Sequence, residues 1–210
     1  MARIVKKPEE RRREIIDAAR TLFQTRQYEH TTMQDVIDSV GIAKGTIYHY
    51  FKSKKELLEA VIEEIISDTI DEMRKIIDTT SGNALQKIEK LMMAGNIAAE
   101  QKTFLNQLHK PGNEAMHVKL LAAALTQQAP LYAELIRQGC DEGLFQTDHP
   151  LECAEFILSG VQFLTDIGIA DWSEDQLSRR ASAFPDLIEK LLQAPSGSFQ
   201  FINQIKRNGI

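Results

Sequence analysis

The chain has 210 residues, of which 43% are hydrophobic and 26% are charged, and these fractions exclude a disordered or fibrous protein. The longest apolar run, residues 120–125, is far below the roughly 18 residues of a membrane span, so we expect no membrane association. The charged N-terminus and the presence of only two cysteines, Cys140 and Cys153, predict a cytoplasmic protein without a disulfide framework.

Charge is distributed unevenly along the chain. Residues 1–55 hold twelve Lys and Arg against seven Asp and Glu, a balance of +5. Residues 56–210 hold thirteen against 23, a balance of −10. A basic end on an acidic body is typical of a protein that meets a polyanion with that end, although unequal solvated helix faces explain the imbalance equally well.

The first 80 residues predict four helices. Pro8 suits the first turn of a helix, and an apolar stripe from Ile15 to Phe23 follows it. A second helix starts at Thr31 or Thr32, since either hydroxyl has a possible capping-box partner three residues later, and it ends at Gly41. A short third helix covers about residues 44–50. Ser53 then caps a long helix that reaches about residue 78 without Gly or Pro.

The rest of the chain also has helical periodicity. Apolar-periodic stretches cover about residues 84–109, 115–127, 130–143, 150–168 and 174–193, and Ala129-Pro130 is one of the breaks between them. Pro185 predicts a kink or restart in the last helix, and the polar residues after Ala194 predict a loosely held tail. Because no alternating strand pattern is present, we predict an all-α fold.

Residues 32–50 carry the main functional signal. Two short helices flank a turn at residues 41–43, which is the helix-turn-helix arrangement of DNA-binding proteins. Val36, Val40, Ile42 and Ile47 supply an apolar joint between the helices. The outward positions of the second helix are polar, as a base-reading surface requires, whereas Phe51 and Tyr50 also suit simple packing of the domain.

The segment from Tyr28 to Leu58, with its Gly-Thr-Ile-Tyr-His-Tyr-Phe block at residues 45–51, resembles the N-terminal signature of the TetR (tetracycline-repressor) family. The stretch from Pro130 to Phe145 is similar to a segment of the family's regulatory domains. The resemblance implies an N-terminal helix-turn-helix domain at 1–54 and a ligand-binding and dimerisation domain at 55–210. It also implies a homodimer through the two C-terminal long helices, which binds a DNA operator and a small-molecule effector.

Carried over residue by residue, the resemblance gives these DNA-contact candidates: Thr31, Thr32, Lys44, Gly45, Thr46, Tyr48, His49, Tyr50 and Lys54. Three positions depart from the family pattern. Ala43 stands where the family has Ser or Thr, so a helix cap is missing, and Ile37 and Val40 stand where small alanines are common.

The effector and dimer sites are predicted from apolar residues. The ligand-binding candidates are Met92, Phe104, Met116, Phe163 and Trp172, although such residues at helical spacing are more often ordinary core. Apolar spacing predicts a dimer face built from Ala154, Ile157, Leu158, Val161, Leu177, Ala181, Phe184, Leu187 and Leu191.

Other functional classes have little support. His149 and Cys153 lie four residues apart but lack further ligands nearby, so we predict no metal site and no cofactor. No nucleophile elbow or phosphate loop is present, so we predict no enzyme. The prediction is a ligand-responsive regulator, a repressor of a palindromic operator that a small, largely apolar molecule releases. The alternative is a DNA-binding regulator or architectural protein without an effector, and a closed apolar cavity of several hundred cubic ångströms would favour the first.

Overall fold

The computed structural model describes residues 7–95, 109 and 113–203, and every long regular element in those ranges is a helix. No strand occurs among them, which confirms the all-α prediction. None of the described helices combines the length and apolar character that crossing a bilayer requires. In chain order the helices are α1 (Pro8–Arg26), α2 (Met33–Val40), α3 (Lys44–Tyr50), α4 (Lys54–Thr79), α5 (Ala84–Gly95), α6 (Glu114–Asp141), α7 (Pro150–Thr165) and α8 (Glu174–Leu192).

The described residues form two compact units. The first unit comprises residues 7–66, 109 and 113–120, and the second comprises residues 67–95 and 121–203. The first therefore contains α1, α2 and α3 with the opening turns of α4 and α6. Both α4 and α6 continue from the first unit into the second as uninterrupted helices.

Local sequence signals set the helix boundaries in the first unit as predicted. Pro8 occupies the first turn of α1. Gly41 ends α2 in the left-handed region, at φ 69° and ψ 39°, and its N–H donates to the Ile37 carbonyl over 2.9 Å. A side chain at this φ would be strained, which explains the glycine. The Ser53 hydroxyl accepts from the Glu56 N–H at 3.2 Å and so caps α4.

The core of the first unit is apolar and dense. Phe51, which follows α3, is buried among the apolar side chains of the unit, and the Arg12 guanidinium lies 5.3 Å from the centre of its ring. Packing is therefore the role of Phe51. The other fully buried large side chains of this unit are Phe23, Ile15, Ile16, Ile47, Leu57, Leu58, Met116, Val36 and Val61.

The predicted break at Ala129-Pro130 is wrong, because α6 passes through Pro130 without ending. Proline removes one helical hydrogen bond, the one that would reach the Thr126 carbonyl. Thr126 and Pro130 are both exposed, so water can satisfy that carbonyl, while the neighbours Ala129 and Leu131 are buried and anchor the helix. Likewise α8 does not restart at Pro185, which lies buried inside it.

The tail is not loose over residues 194–203, contrary to the prediction. Phe199 is buried, and its ring stacks on Phe145 with 5.8 Å between ring centres. Its N–H donates to the Glu189 carboxylate at 3.0 Å. Gly139 makes room for Phe145, since a Cβ there would lie 2.2 Å from the Phe145 ring. The segment after α8 thus completes the core of the second unit.

Candidate nucleic-acid interface and ligand cavity

The short helix α3 has one buried anchor and a polar outer surface. Ile47 has no exposed surface and fixes the helix to the core of the first unit. Lys44, Gly45 and His49 are exposed, and Thr46, Tyr48 and Tyr50 are half-buried. No side chain caps α3 at Ala43, which agrees with the missing hydroxyl noted in the sequence. In the first turn of α3 the Thr46 N–H donates to the Ala43 carbonyl at 2.8 Å, and the backbone N–H groups of Lys44 and Gly45 lie beside the Lys44 side chain, an arrangement that suits an anion.

Thr32, not Thr31, caps α2. The Thr32 hydroxyl accepts from the Asp35 N–H at 3.2 Å, and the Asp35 carboxylate accepts from the Thr32 N–H at 2.7 Å. The hydrogen bond from the Thr32 side chain is the main reason that the pKa of Asp35 is lowered. Thr31 is 1% exposed and donates to the Gln27 carbonyl at 2.8 Å, so in this conformation it cannot contact DNA, and we remove it from the candidates.

The half-buried Lys54 side chain contacts groups of its own unit. Its ammonium donates to the carbonyls of Tyr28 and Glu29 at 3.0 and 3.3 Å and lies 4.3 Å from the centre of the Tyr28 ring. The Tyr28 N–H in turn donates to the Asn113 side chain at 2.7 Å. Lys54 therefore holds the loop that leads into α2, a role that the sequence interpretation, a phosphate contact, missed.

The second unit contains a cavity of about 100 Å³. It is partly open and smaller than the closed cavity of several hundred cubic ångströms that would favour an effector-responsive regulator; large side chains such as Phe184 and Phe199 line it. Helices α5, α6, α7 and α8 and the tail all contribute to its wall. The lining residues are Ile88, Met92, Tyr132, Ile136, Ala154, Ile157, Leu158, Val161, Phe184, Ile188, Leu192, Phe199 and Ile202.

Among the predicted ligand residues that the structure describes, only Met92 lines this cavity. Phe163 is 56% exposed, and Met116 is buried in the first unit. Trp172 is half-buried, with the Arg180 guanidinium 3.8 Å from the centre of its ring. Phe104 lies outside the described residues. The predictions for Phe163, Met116 and Trp172 therefore do not fit this cavity.

The predicted dimer face is divided between two surfaces. Ala154, Ile157, Leu158, Val161 and Phe184 line the cavity, with Ala154 and Phe184 buried and the other three half-buried. Both α7 and α8 carry a second set of large apolar side chains on the outside. Phe156 is 72% exposed, Phe163 56% and Leu187 57%, and Leu191 is also exposed. We call these four residues the outer apolar face.

Comparisons with known proteins agree with the helix-turn-helix geometry. A family described as "Bacterial regulatory proteins, tetR family" matches residues 15–61, and one described as "Tetracyclin repressor-like, C-terminal domain" matches residues 84–187. The chain is 28% identical over 145 residues to the HTH-type transcriptional repressor KstR2 of Mycolicibacterium smegmatis, covering 67% of this chain and 70% of that protein. It is 27% identical over 171 residues to the uncharacterized HTH-type transcriptional regulator YfiR of Bacillus subtilis, covering 72% and 76%.

Solved structures show the same fold. A TetR-family transcriptional regulator from Pectobacterium atrosepticum superposes with a TM-score of 0.67 at 22% identity, covering 89% of this chain and 96% of that one. The two matched families together span more than half of the sequence. The chain therefore belongs to the TetR family of DNA-binding transcriptional regulators.

Proposed function

We propose that this regulator is a repressor that binds a palindromic operator as a homodimer and releases it when a small, largely apolar molecule fills the cavity of the second unit. The observation that carries the proposal is the cavity. Protein interiors pack as densely as organic crystals, so an apolar, partly open cavity of about 100 Å³ among thirteen side chains offers room that a small effector would fill. An effector site gives this cavity a role, which the alternative of a regulator without an effector does not.

The DNA-binding part of the proposal rests on α3. In helix-turn-helix proteins the N-terminal residues of the second helix reach the base edges in the major groove. Lys44, Gly45 and Thr46 occupy that position, and a Lys ammonium can bind the O6 and N7 acceptors of guanine. His49, Tyr48 and Tyr50 follow on the same short helix, and Thr32 is exposed at the start of α2, where phosphates lie.

The outer apolar face supports the homodimer. Large apolar side chains clustered on the surface mark interaction sites, and this face lies on the two C-terminal long helices. A two-fold dimer contacts itself through the same patch on both copies. Two recognition helices related by that axis read two half-sites, so we propose a palindromic operator with half-site centres about 34–36 Å apart or a multiple of that distance.

Release requires that the effector prefer one conformation. A ligand with equal affinity for the DNA-bound and free states shifts nothing, however tightly it binds. A difference of about 1–3 kcal/mol changes operator affinity roughly 5- to 150-fold, which is ample for regulation. We propose α4 as the connecting element, since it runs from Lys54 to Thr79 as a single helix without Gly or Pro.

Filling the cavity tests the proposal. The operator is first selected in vitro from random DNA with the full chain, and release is then measured with the neutral probe acetophenone. Ala154 is buried in the cavity wall, so Ala154→Leu fills the void. We expect this variant to bind the operator like the wild type and to lose release by the probe.

Ala122→Leu is the matched control, because Ala122 is exposed on α6 and does not line the cavity. It should keep wild-type release. Undiminished release from the Ala154→Leu variant would contradict the proposal that the cavity is the effector site. Ile88→Phe, on a different wall of the same cavity, gives a second test if Ala154→Leu does not fold.

A further inference from the structure

We infer that Tyr132 selects the effector: the molecule that fills the cavity is uncharged and presents a hydrogen-bond acceptor to the Tyr132 hydroxyl. This inference rests on the proposed function, because it names the chemical class of ligand for the same cavity.

The composition of the wall points to Tyr132. Among the thirteen lining residues, twelve have aliphatic, phenylalanine or thioether side chains. Tyr132 alone has a side chain that can donate a hydrogen bond. Among the described residues, a ligand that enters this space therefore meets apolar side chains and one phenol, and that phenol can fix its orientation.

The Tyr132 hydroxyl is without a partner in the part of the chain that the structure describes. Burial raises the pKa of Tyr132 to about 12, and no hydrogen bond contributes to the shift. The phenol therefore remains protonated at neutral pH and is a donor. Tyr132 lines the cavity and is half-buried by accessible surface, and desolvation dominates its pKa, so we place its hydroxyl in the cavity wall.

The position of Tyr132 on α6 keeps its ring in the wall. Its neighbours Leu131 and Ala133 are buried in the core of the second unit, and Ile136, one turn later, lines the same cavity. The hydroxyl is a donor in a largely desolvated wall, so a ligand that supplies an acceptor gains affinity by completing the bond. A ligand of the same shape without an acceptor leaves the phenol as it was.

The same wall excludes charged ligands. No Lys, Arg or His is among the lining residues that the structure describes, so a carboxylate would lose its hydration without gaining a cation from them. The volume also limits size. An engineered apolar cavity of about 150 Å³ binds benzene, and this cavity of about 100 Å³ is smaller but partly open, so it suits a short chain or a single ring that extends into the opening. The predicted class is a small ketone, ester, lactone or ether with an apolar body.

Three probes of nearly identical shape separate these contributions: acetophenone, α-methylstyrene and benzoate. Acetophenone carries a carbonyl acceptor, α-methylstyrene replaces that oxygen by an apolar methylene group, and benzoate carries a negative charge. Binding to the full chain is measured by titration calorimetry or ligand-observed NMR. We expect the wild type to bind acetophenone about tenfold more tightly than α-methylstyrene and to show no detectable binding of benzoate.

Tyr132→Phe keeps the ring and removes the hydroxyl. We expect it to bind acetophenone and α-methylstyrene equally, with the affinity for α-methylstyrene unchanged or slightly higher. Its unfolding midpoint without ligand should equal or exceed that of the wild type, because no hydrogen bond within the protein is lost. Ile157→Val is the matched control: it widens the same wall without changing polarity, so both affinities should change together.

The outcomes distinguish this inference from the proposed function. Equal binding of the two neutral probes by the wild type, or a preference that survives in Tyr132→Phe, overturns the inference and leaves the cavity as an effector site. A lower unfolding midpoint for Tyr132→Phe overturns it as well, because the hydroxyl then has a partner in the protein. Binding of neither neutral probe overturns both. Loss of the preference in Tyr132→Phe without any effect of acetophenone on operator binding supports the inference and contradicts only the proposed function.

Discussion

The α2–α3 surface and the cavity differ in whether their polar groups have hydrogen-bond partners. In the first unit, the groups that orient the reading helices are paired: Asp35 with Thr32, and the Lys54 ammonium with two carbonyls and the Tyr28 ring. In the second unit, the one phenol of the cavity wall has no hydrogen-bond partner among the described residues.

This difference corresponds to two kinds of ligand. Duplex DNA presents phosphates and base edges at fixed spacing, and a surface whose geometry is already held loses little entropy when it binds them. A small molecule in a cavity can supply a hydrogen-bond acceptor that the protein lacks. The unpaired donor then favours ligands that carry this acceptor over ligands that do not. Removing a hydrogen-bonded partner in the first unit should therefore weaken DNA binding or lower the stability of the fold. A ligand that accepts a hydrogen bond from the phenol in the second unit should instead gain affinity.

The largest effect is expected from separating the two copies. Phe156→Asp combined with Leu187→Asp places two charges on the outer apolar face. We expect a monomer by light scattering, and an operator affinity at least roughly 100-fold lower, because the second half-site no longer binds as part of the same molecule.

Val118→Asp is the matched control for that change. Val118 is an exposed large apolar residue on α6 in the first unit and is not part of the outer apolar face, so the variant should remain dimeric with wild-type affinity. A dimer that persists in the double variant would place the interface elsewhere.

A smaller effect on operator binding is expected from a substitution in α3. Comparing Lys44 with Lys54 distinguishes a DNA contact from a structural contact. Lys44 is exposed at the start of α3, so Lys44→Ala should weaken operator binding by about 1–3 kcal/mol and relax the sequence preference at one base pair. Lys54→Ala should instead lower the free energy of unfolding, since its ammonium holds the loop before α2. Its DNA binding should keep the wild-type dependence on salt.

Operator titrations at several salt concentrations, together with urea unfolding, measure both changes. Lys75→Ala is the control, because Lys75 is exposed on α4 in the second unit and should affect neither quantity. A salt dependence of Lys54→Ala that is weaker by about one phosphate contact per site would return Lys54 to the DNA interface.

The helix boundaries of the first unit could be predicted because their causes are local. A cap depends on residues within about four positions, so Pro8, Gly41 and Ser53 could be recognised without knowing the fold. The choice between Thr31 and Thr32 was beyond this reasoning. Both have a suitable partner three residues later, and only the burial of Thr31 against the end of α1 decides between them.

The second unit was less predictable because its features depend on packing between distant segments. Helix α7 is apolar on two faces, and periodicity does not say that Ile157 faces a cavity while Phe156 faces outward. Pro130 reads as a break, but burial of its neighbours keeps α6 continuous. The role inferred for Tyr132 depends on the absence of a hydrogen-bond acceptor for its hydroxyl among the described residues, and a sequence alone does not reveal such an absence.

The smallest effect is expected from the cap of α2, and it depends on pH. The folded state lowers the pKa of Asp35, chiefly through the Thr32 side chain, relative to about 3.9 in an unfolded chain. A carboxyl with a lowered pKa stabilises the fold fully above its unfolded pKa, and the stabilisation is lost as pH falls through its folded pKa. The difference in unfolding free energy between wild type and Asp35→Asn should therefore be largest above about pH 5 and should shrink toward pH 2–3.

Thr32→Val shows whether this dependence comes from the Thr32–Asp35 pair. At pH 7 it should cost about 1 kcal/mol, as the loss of an N-terminal cap does. In the Thr32→Val background, the effect of Asp35→Asn should vary less with pH, because the main cause of the lowered pKa is gone. Urea unfolding of the four variants at pH 7 and pH 3 gives this comparison. An Asp35→Asn effect with the same pH profile in both backgrounds would mean that the Thr32 hydroxyl is not the cause of the lowered pKa. The carboxylate would then act through the backbone N–H of residue 32, 2.7 Å away, and through the Arg26 guanidinium, 3.2 Å away.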